Sequence, residues 1–166
     1  MKQGNDLTKP ITIYDSGGNV TKKLVFTDDF DKSRIINPLL SWAEYLLLIF
    51  NYLGENKKYY KAVIDEKKKH VGYILKRDKQ FRYESWPEHI MTLPTVDFNA
   101  DENPLRNQPN EHAGLVKAPK KVEFYYPKQV VGDWLKVVWD TPRKGVGWVK
   151  WKDKHNDLLI ERFYVM

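Results

Sequence analysis

The sequence repeats itself, and this internal repeat limits the folds that the chain can adopt. Residues 60–79 and 135–154 align without a gap after a shift of 75 positions, and eight of the twenty aligned positions are identical. Upstream, the Asn-Pro-Leu segment 37–39 echoes 103–105. A length of 166 residues suits one domain or two small ones. We therefore expect two copies of one small domain rather than two unrelated hairpins.

Each copy has the residue pattern of β structure. The segment 134–139 is rich in aromatic and β-branched residues, and a short polar turn with Pro142 and Gly145 separates it from a second apolar segment, 146–151. Near the start of the chain, two β-prone segments flank the turn 15–19, which is another hairpin signal. The pattern predicts a mainly all-β protein.

One segment, 38–53, has apolar residues at helical spacing. Its short apolar run and its match to the repeat favour a buried strand over 46–50. For the preceding residues, a short helix near 38–45 is the alternative.

The two copies are predicted to meet between Met91 and Pro94, before an acidic stretch rich in proline and asparagine. This boundary gives one domain over 1–91 and another over 92–166. Each is small enough that closing its sheet into a barrel, which hides the strand edges, is the economical solution. Because each core would be thin, we expect the two barrels to pack together.

The composition limits the kinds of partner, site and membrane segment that the chain can have. The net charge of +6 permits anionic partners, but it is low for a dedicated nucleic-acid binder. The absence of cysteine excludes disulfides, zinc–thiolate sites and a cysteine nucleophile. The strongest apolar run, 45–50, is far shorter than the ~20 residues that cross a bilayer, and no export signal is visible. We expect no transmembrane segment.

Side chains for catalysis or metal binding do not converge in the sequence. The four histidines include no His-x-x-x-His pair, and no serine lies in a Gly-x-Ser-x-Gly context. Paired carboxylates for glycoside hydrolysis are compatible with the sequence, but small barrels rarely form a deep pocket that excludes water. We expect neither catalysis nor a cofactor nor a metal, and an enzyme or enzyme accessory domain is the weaker alternative.

Three segments of the second copy carry a family pattern. Residues 103–109 (NPLRNQP) are similar to an Asn-x-Arg-x-x-Pro opening, with one residue more between Asn and Arg. Residues 132–137 (GDWLKV) match a Gly-Asp/Asn-Trp-aliphatic-Lys-Val strand, and 147–149 match a closing Gly-Trp-Val. Over about 99–154, the chain thereby resembles the bacterial Src-homology-3-like domain, a small barrel of the cell-wall-associated branch of that fold.

The resemblance implies two tandem Src-homology-3-like barrels. The first is divergent, because Tyr59 and Tyr73 stand where the family prefers tryptophan. Domains of this family mostly bind rather than catalyse, and they contact peptidoglycan peptides or other proteins. The resemblance therefore implies a non-catalytic module for a cell-wall peptide or an extended protein segment, located in the periplasm or at the cell surface.

An aromatic groove on the second copy is the predicted binding site, formed by Trp134 and Trp148 with Tyr125 or Tyr126. Alternation along a strand lets one tryptophan from each of two adjacent strands share an outer surface. Aromatic side chains give a large contact area at low entropy cost, which suits an extended peptide. In the alternative interpretation, the aromatic surface is a protein or oligomer interface of a structural or adaptor subunit.

Basic residues crowd the equivalent turn of both copies: Lys67, Lys68, Lys69, Arg143 and Lys144. An anionic polymer could bind there, and nucleic acid would feel the same field. A solvated charged turn is the simpler interpretation, and no segment matches a groove-reading helix or a stacked-aromatic RNA motif. We do not expect nucleic acid as a partner.

Overall fold

A computed structural model describes residues 9–27, 30, 35–45, 47–119 and 122–164. Strands account for 42% of the chain and helix for 5%, so the all-β class is confirmed. The described strands form several small sheets, none of which closes on itself. The helices in the described ranges are all too short or too polar to cross a membrane.

The chain divides into two compact units, 1–83 and 84–166, and this division precedes the predicted boundary at Met91. The reason is the short helix α1 (Trp86–Ile90), which begins at the N-cap residue Ser85. Ser85 and Glu88 form a capping box, in which the Ser85 backbone N–H donates to the Glu88 carboxylate at 2.8 Å. Ile90 is completely buried in the core of the second unit, so α1 belongs to that unit.

The first unit is built around a five-stranded antiparallel sheet. The described strands of this unit are β1 (Ile11–Tyr14), β2 (Val20–Leu24), β3 (Leu40–Trp42), β4 (Leu47–Ile49), β5 (Asn51–Glu55), β6 (Tyr59–Asp65) and β7 (His70–Leu75). The sheet has the order β2-β1-β7-β6-β5, while β3 and β4 pair separately. Apolar residues that alternate along these strands, such as Ile11 and Ile13 on β1, fill the core.

The segment with helical spacing forms a hairpin, and the short helix that was the alternative for 38–45 is reduced to one turn of 3-10 helix. A single 3-10 turn (Ala43–Tyr45) connects β3 to β4, and the Trp42 and Tyr45 rings meet edge to face at 4.6 Å. Ala43 and Leu48 are buried in the core. The strand predicted over 46–50 corresponds to β4, and its first residue lies outside the described residues.

The described part of the second unit contains α1 and five strands: β8 (Thr95–Asp97), β9 (Tyr126–Val131), β10 (Trp134–Trp139), β11 (Gly145–Lys150) and β12 (Glu161–Phe163). Strands β9, β10 and β11 form an antiparallel meander, and β8 pairs with β12. Leu135, Val137 and Val149 are completely buried at the centre of this unit's core.

The repeat of 75 residues is visible in the strand pairing. Five consecutive cross-strand pairs of the β6–β7 hairpin recur in the β10–β11 hairpin 75 positions later. The pairs are Tyr59–Leu75, Tyr60–Ile74, Lys61–Tyr73, Ala62–Gly72 and Val63–Val71 in the first unit, and Trp134–Lys150, Leu135–Val149, Lys136–Trp148, Val137–Gly147 and Val138–Val146 in the second. Identical register specifies identical faces, because a slip of one residue would turn every side chain over.

The strand before each hairpin repeats as well, including its irregularity. The pairing of β5 with β6 shifts between Tyr52 and Gly54, and that of β9 with β10 shifts between Pro127 and Gln129 at the equivalent place. A bulge adds one residue to one strand at a defined position. Each unit therefore contains the same bulged three-stranded meander.

A further segment pairs with the last strand of each meander, and in the first unit it is not the segment 37–39 that the internal repeat aligned with 103–105. In the second unit, Arg106 pairs with Trp148, whereas in the first unit Tyr14 of β1 pairs with Tyr73. A Cβ on Gly72 would lie 2.7 Å from Ile13 Cγ2, and one on Gly147 would lie 2.9 Å from Leu105 Cδ2. Hence the structural counterpart of 103–106 is β1 and not 37–39, since β1 is the strand that crosses the equivalent glycine.

The turn between β1 and β2 depends on the carboxylate of Asp15. One Asp15 oxygen accepts hydrogen bonds from the backbone N–H groups of Gly17 at 2.9 Å and Asn19 at 2.8 Å. The Asn19 side chain donates to the same carboxylate, and this bond is the main reason that the pKa of Asp15 lies below 3.8. The ionised form thus stabilises the turn.

We expect this turn to weaken as the pH falls through the lowered pKa of Asp15. A carboxyl whose pKa is lowered in the folded state contributes stability above its unfolded pKa and loses it in acid. Replacing Asn19 with alanine should raise the pKa of Asp15 towards 3.8, because the largest cause of the shift is removed. A carbon-detected NMR titration measures this, with Asp153 as the internal control, since backbone N–H groups in its own turn lower its pKa. An unchanged Asp15 pKa in Asn19→Ala would contradict the interpretation.

Candidate binding face on the second unit

Strand alternation divides the side chains of the β10–β11 hairpin between two faces. Leu135 and Val137 on β10 point into the core with Val149 on β11. The other side of the hairpin, which we call the outer face, carries Trp134, Lys136, Val138, Val146, Trp148 and Lys150. Trp134 and Trp148 therefore share one surface.

A row of five directly paired residues crosses this face. Gln129 pairs with Lys136, Lys136 with Trp148, Trp148 with Arg106, and Arg106 with Leu115. The backbone N–H and C=O groups of Arg106 and Trp148 exchange two hydrogen bonds of 2.8 Å, which fix the register of the row. Opposed residues of neighbouring strands lie on the same face, so the row extends the outer face from β9 to Leu115.

Cations alternate with the indole rings on this face. Lys136 Nζ lies 5.7 Å from the centroid of the Trp148 ring, and Lys150 Nζ lies 5.7 Å from that of Trp134. Each contact has cation–π geometry, which is worth about 0.5–1 kcal/mol at an exposed site. The Arg106 guanidinium donates to the carbonyl oxygen of Ala113 at 2.8 Å, which orients it beside the row.

One carboxylate also reaches the face. Glu111 forms an ion pair with Lys150, and the hydrogen bond from that ammonium lowers the pKa of Glu111. Glu111 is largely exposed, so this pair is screened by solvent. Three basic side chains, Arg106, Lys136 and Lys150, thus face one acidic group, and the net charge of the surface is positive.

Exposure differs strongly among the residues of the face. Trp134 is only 9% exposed, whereas the ring of Trp148 is half-buried. Leu115 is 69% exposed and Val146 48% exposed. The surface that a ligand can touch therefore centres on Trp148, while Trp134 serves mainly as packing beneath Lys150.

The structure distinguishes between Tyr125 and Tyr126, which the sequence analysis left as alternatives for the groove. Tyr125 lies in the core, where its ring packs against Phe98 at 4.6 Å and Trp139 at 5.7 Å, and burial raises the pKa of its hydroxyl. Tyr126 pairs with Val138 and is half-buried beside the outer face. Neighbouring residues on a strand point to opposite sides, so only Tyr126 belongs to the face.

The residues of the basic turns lie in the β6–β7 and β10–β11 connections, one in each unit. Lys69 forms an ion pair with Glu66 at 3.1 Å, and Lys68 lies 3.9 Å from Asp65. These are pairs three residues apart within one turn, and such exposed pairs contribute little. Arg143 and Lys144 are exposed in the other turn. Carboxylates thus offset part of the Lys67–Lys69 charge locally.

A polar cluster in the second unit was not anticipated from the sequence. His89 is buried, with Nδ1 3.0 Å from a Glu84 carboxylate oxygen and Nε2 3.0 Å from the Tyr164 hydroxyl. Burial raises the pKa of Tyr164. These contacts tie the end of the described chain to α1. Across the described ranges, His, Asp and Glu side chains nowhere gather in threes in a way that could hold a metal ion.

A scan against protein-family models and searches of curated proteins and of solved structures find no match to the chain. The comparisons therefore add no support to the likeness to Src-homology-3-like domains. Even a shared fold would not specify the function, which depends on the chemistry of the face itself.

Proposed function

We propose that this protein is a non-catalytic binding module that holds an extended, carboxylate-bearing peptide on the outer face of its second unit. The observation that carries the proposal is the row in which the half-buried Trp148 lies between Lys136 and Arg106. The indole offers apolar contact area, and the two flanking cations offer partners for carboxylates.

The chemistry of the face favours a peptide with both apolar and acidic groups. Apolar groups of the ligand would pack on Trp148, Leu115 and Val146, which are accessible. Carboxylates would form charge-assisted hydrogen bonds with Lys136 and Arg106. The shallow sheet surface suits an extended backbone better than a compact ligand.

The resemblance over about 99–154 favours a cell-wall stem peptide as the source of this ligand and the periplasm or cell surface as its location. The assignment of both units to the Src-homology-3-like fold is part of the same proposal. Its support is the motif match and the bulged meander that recurs in both units.

Replacing Trp148 with alanine should weaken the binding of soluble peptidoglycan fragments at least about tenfold. Aromatic side chains at the centre of an interface carry a large share of the binding energy, and tenfold corresponds to about 1.4 kcal/mol. Isothermal titration calorimetry measures the change. Trp42→Ala is the matched control, since it removes a half-buried indole from the first unit and should leave this site unaffected.

Two results would contradict the proposed function. One is equal binding by Trp148→Ala and wild type when both are folded by 1H–15N spectra. The other is no saturable response of the wild type at millimolar concentrations of the fragments, which would also remove the cell wall as the source of the ligand.

A second candidate function is that of a structural or adaptor subunit. The observation that favours it is the exposure of Leu115, Val146 and Val131, of which Val131 pairs with Trp134 and is 43% exposed. A second protein chain could cover these side chains. Sedimentation at increasing concentration distinguishes the two candidates. If the mass of the wild type rises with concentration while Leu115→Lys remains a monomer, the structural or adaptor function is favoured.

A further inference from the structure

The first unit carries a tyrosine face at the place that corresponds to the outer face of the second unit. Tyr59 is the counterpart of Trp134, and Tyr73 is the counterpart of Trp148, since their pairing registers agree after the shift of 75 residues. Beside them, Tyr14 pairs with Tyr73 as Arg106 pairs with Trp148. The correspondence therefore extends to the neighbouring segment of each meander.

The three tyrosines form one continuous aromatic surface. The ring centroids of Tyr14 and Tyr59 are 5.3 Å apart, and those of Tyr59 and Tyr73 are 6.4 Å apart. All three side chains are half-buried, so each leaves part of its surface accessible. Tilted and edge-to-face contacts of this kind hold the rings in defined positions.

Two lysines lie on the same side of the sheet as the three tyrosines. Lys61, the counterpart of Lys136, pairs with Tyr73 and is exposed. Lys23 pairs with Thr12, which is two residues before Tyr14 and so lies on the same side of the sheet.

The row across the sheet also repeats from end to end. Gly54, Lys61, Tyr73, Tyr14 and Val20 are paired in sequence across it. They stand where Gln129, Lys136, Trp148, Arg106 and Leu115 stand in the second unit. Val20 is 51% exposed, like its highly exposed counterpart Leu115.

We propose that the tyrosine face is a second binding site for the same class of ligand, an extended peptide that bears carboxylates. This inference rests on the proposed function of the second unit, and it makes each chain a binder of two such ligands. The occupant follows from charge complementarity, because Lys23 and Lys61 flank the accessible rings.

The two sites differ in the balance of forces that they offer. Tyr14 replaces Arg106, and Leu75 replaces Lys150, so the tyrosine face has fewer cations and more apolar surface. Its affinity should therefore fall less steeply with added salt than that of the outer face, since screening weakens the ionic contribution.

A pair of charge reversals tests the proposal. Lys61→Glu acts on the tyrosine face and Lys136→Glu on the outer face, at equivalent positions of the two hairpins. Lys57→Glu is the matched control, because it makes the same change at an exposed residue of the turn between β5 and β6. Calorimetry with a soluble disaccharide–tetrapeptide gives the stoichiometry, and 1H–15N spectra locate the perturbed residues.

The wild type should bind two ligands per chain, with spectral changes around Tyr73 and around Trp148. Lys61→Glu should weaken binding at the tyrosine face at least about tenfold and leave binding at the outer face intact. Lys136→Glu should do the reverse. One ligand per chain with changes confined to 126–150, or equal behaviour of Lys61→Glu and Lys57→Glu, would overturn the second site while the proposed function stands. If neither unit bound the ligand, both the second site and the proposed function would be overturned.

Discussion

Replacing Leu135 with alanine should lower the free energy of unfolding of the second unit by about 2–5 kcal/mol. Leu135 is completely buried and lies between Val130 on β9 and Val149 on β11, in the middle of the meander. Its loss removes apolar contacts and leaves a cavity that rigid strands on both sides cannot close. Because a small unit has a total stability of about 5–15 kcal/mol, the change should be conspicuous.

Urea denaturation followed by tryptophan fluorescence measures this effect. Five of the six tryptophans belong to the second unit, so the signal reports mainly on that unit. Leu115→Ala is the matched control, since it makes the same chemical change at a leucine that is 69% exposed and should cost less than about 0.5 kcal/mol. Equal losses for Leu115→Ala and Leu135→Ala would contradict the assigned core.

Replacing Gly145 with alanine should destabilise the second unit by about 1–3 kcal/mol through overpacking. Gly145 pairs with Trp139 across the hairpin, and an added Cβ would lie 2.2 Å from Trp139 Cζ2 and 2.4 Å from Cε2. The ring is buried and packs against Tyr125 at 5.7 Å, so it has little room to move away. The cost is therefore steric rather than conformational.

A double-mutant cycle separates this clash from a general effect of the substitution. Trp139→Phe makes room for the methyl group, and it removes an indole N–H that finds no acceptor among the described residues. The combined variant should cost less than the sum of the two single variants, with a coupling of about 0.5–3 kcal/mol in urea denaturation. Strict additivity would show that the ring and Gly145 do not collide.

The repeat is the clearest case in which the sequence was sufficient. Matching residues at a spacing of 75 predicted two related β units, and the same spacing appears in the cross-strand pairs and in the bulge. Period-two alternation on β10 and β11 also placed Trp134 and Trp148 on one surface. These features are local, because strand alternation and hairpin register depend on residues that are close in sequence.

The boundary between the units shows where local patterns were insufficient. The change in composition after Met91 suggested a boundary there, but Ile90 is buried in the second core, and the helix that ends at Ile90 belongs to the same unit. The alignment of 37–39 with 103–105 did not identify structurally equivalent segments, for a related reason. Which segment lies against β7 or β11 depends on long-range pairing, and identical tripeptides do not determine it.

The amino-acid sequence by itself determined the all-β class, the repeat and the aromatic character of the face, because these follow from composition and from period-two spacing. Only the tertiary structure decided which aromatic residues stay accessible. In the folded protein, Tyr125 lies in the core, Trp134 is mostly covered, Arg106 lies beside Trp148 and Leu115 lies beside Arg106. Accessibility and charge at a surface depend on segments distant in sequence, which meet only when the chain has folded.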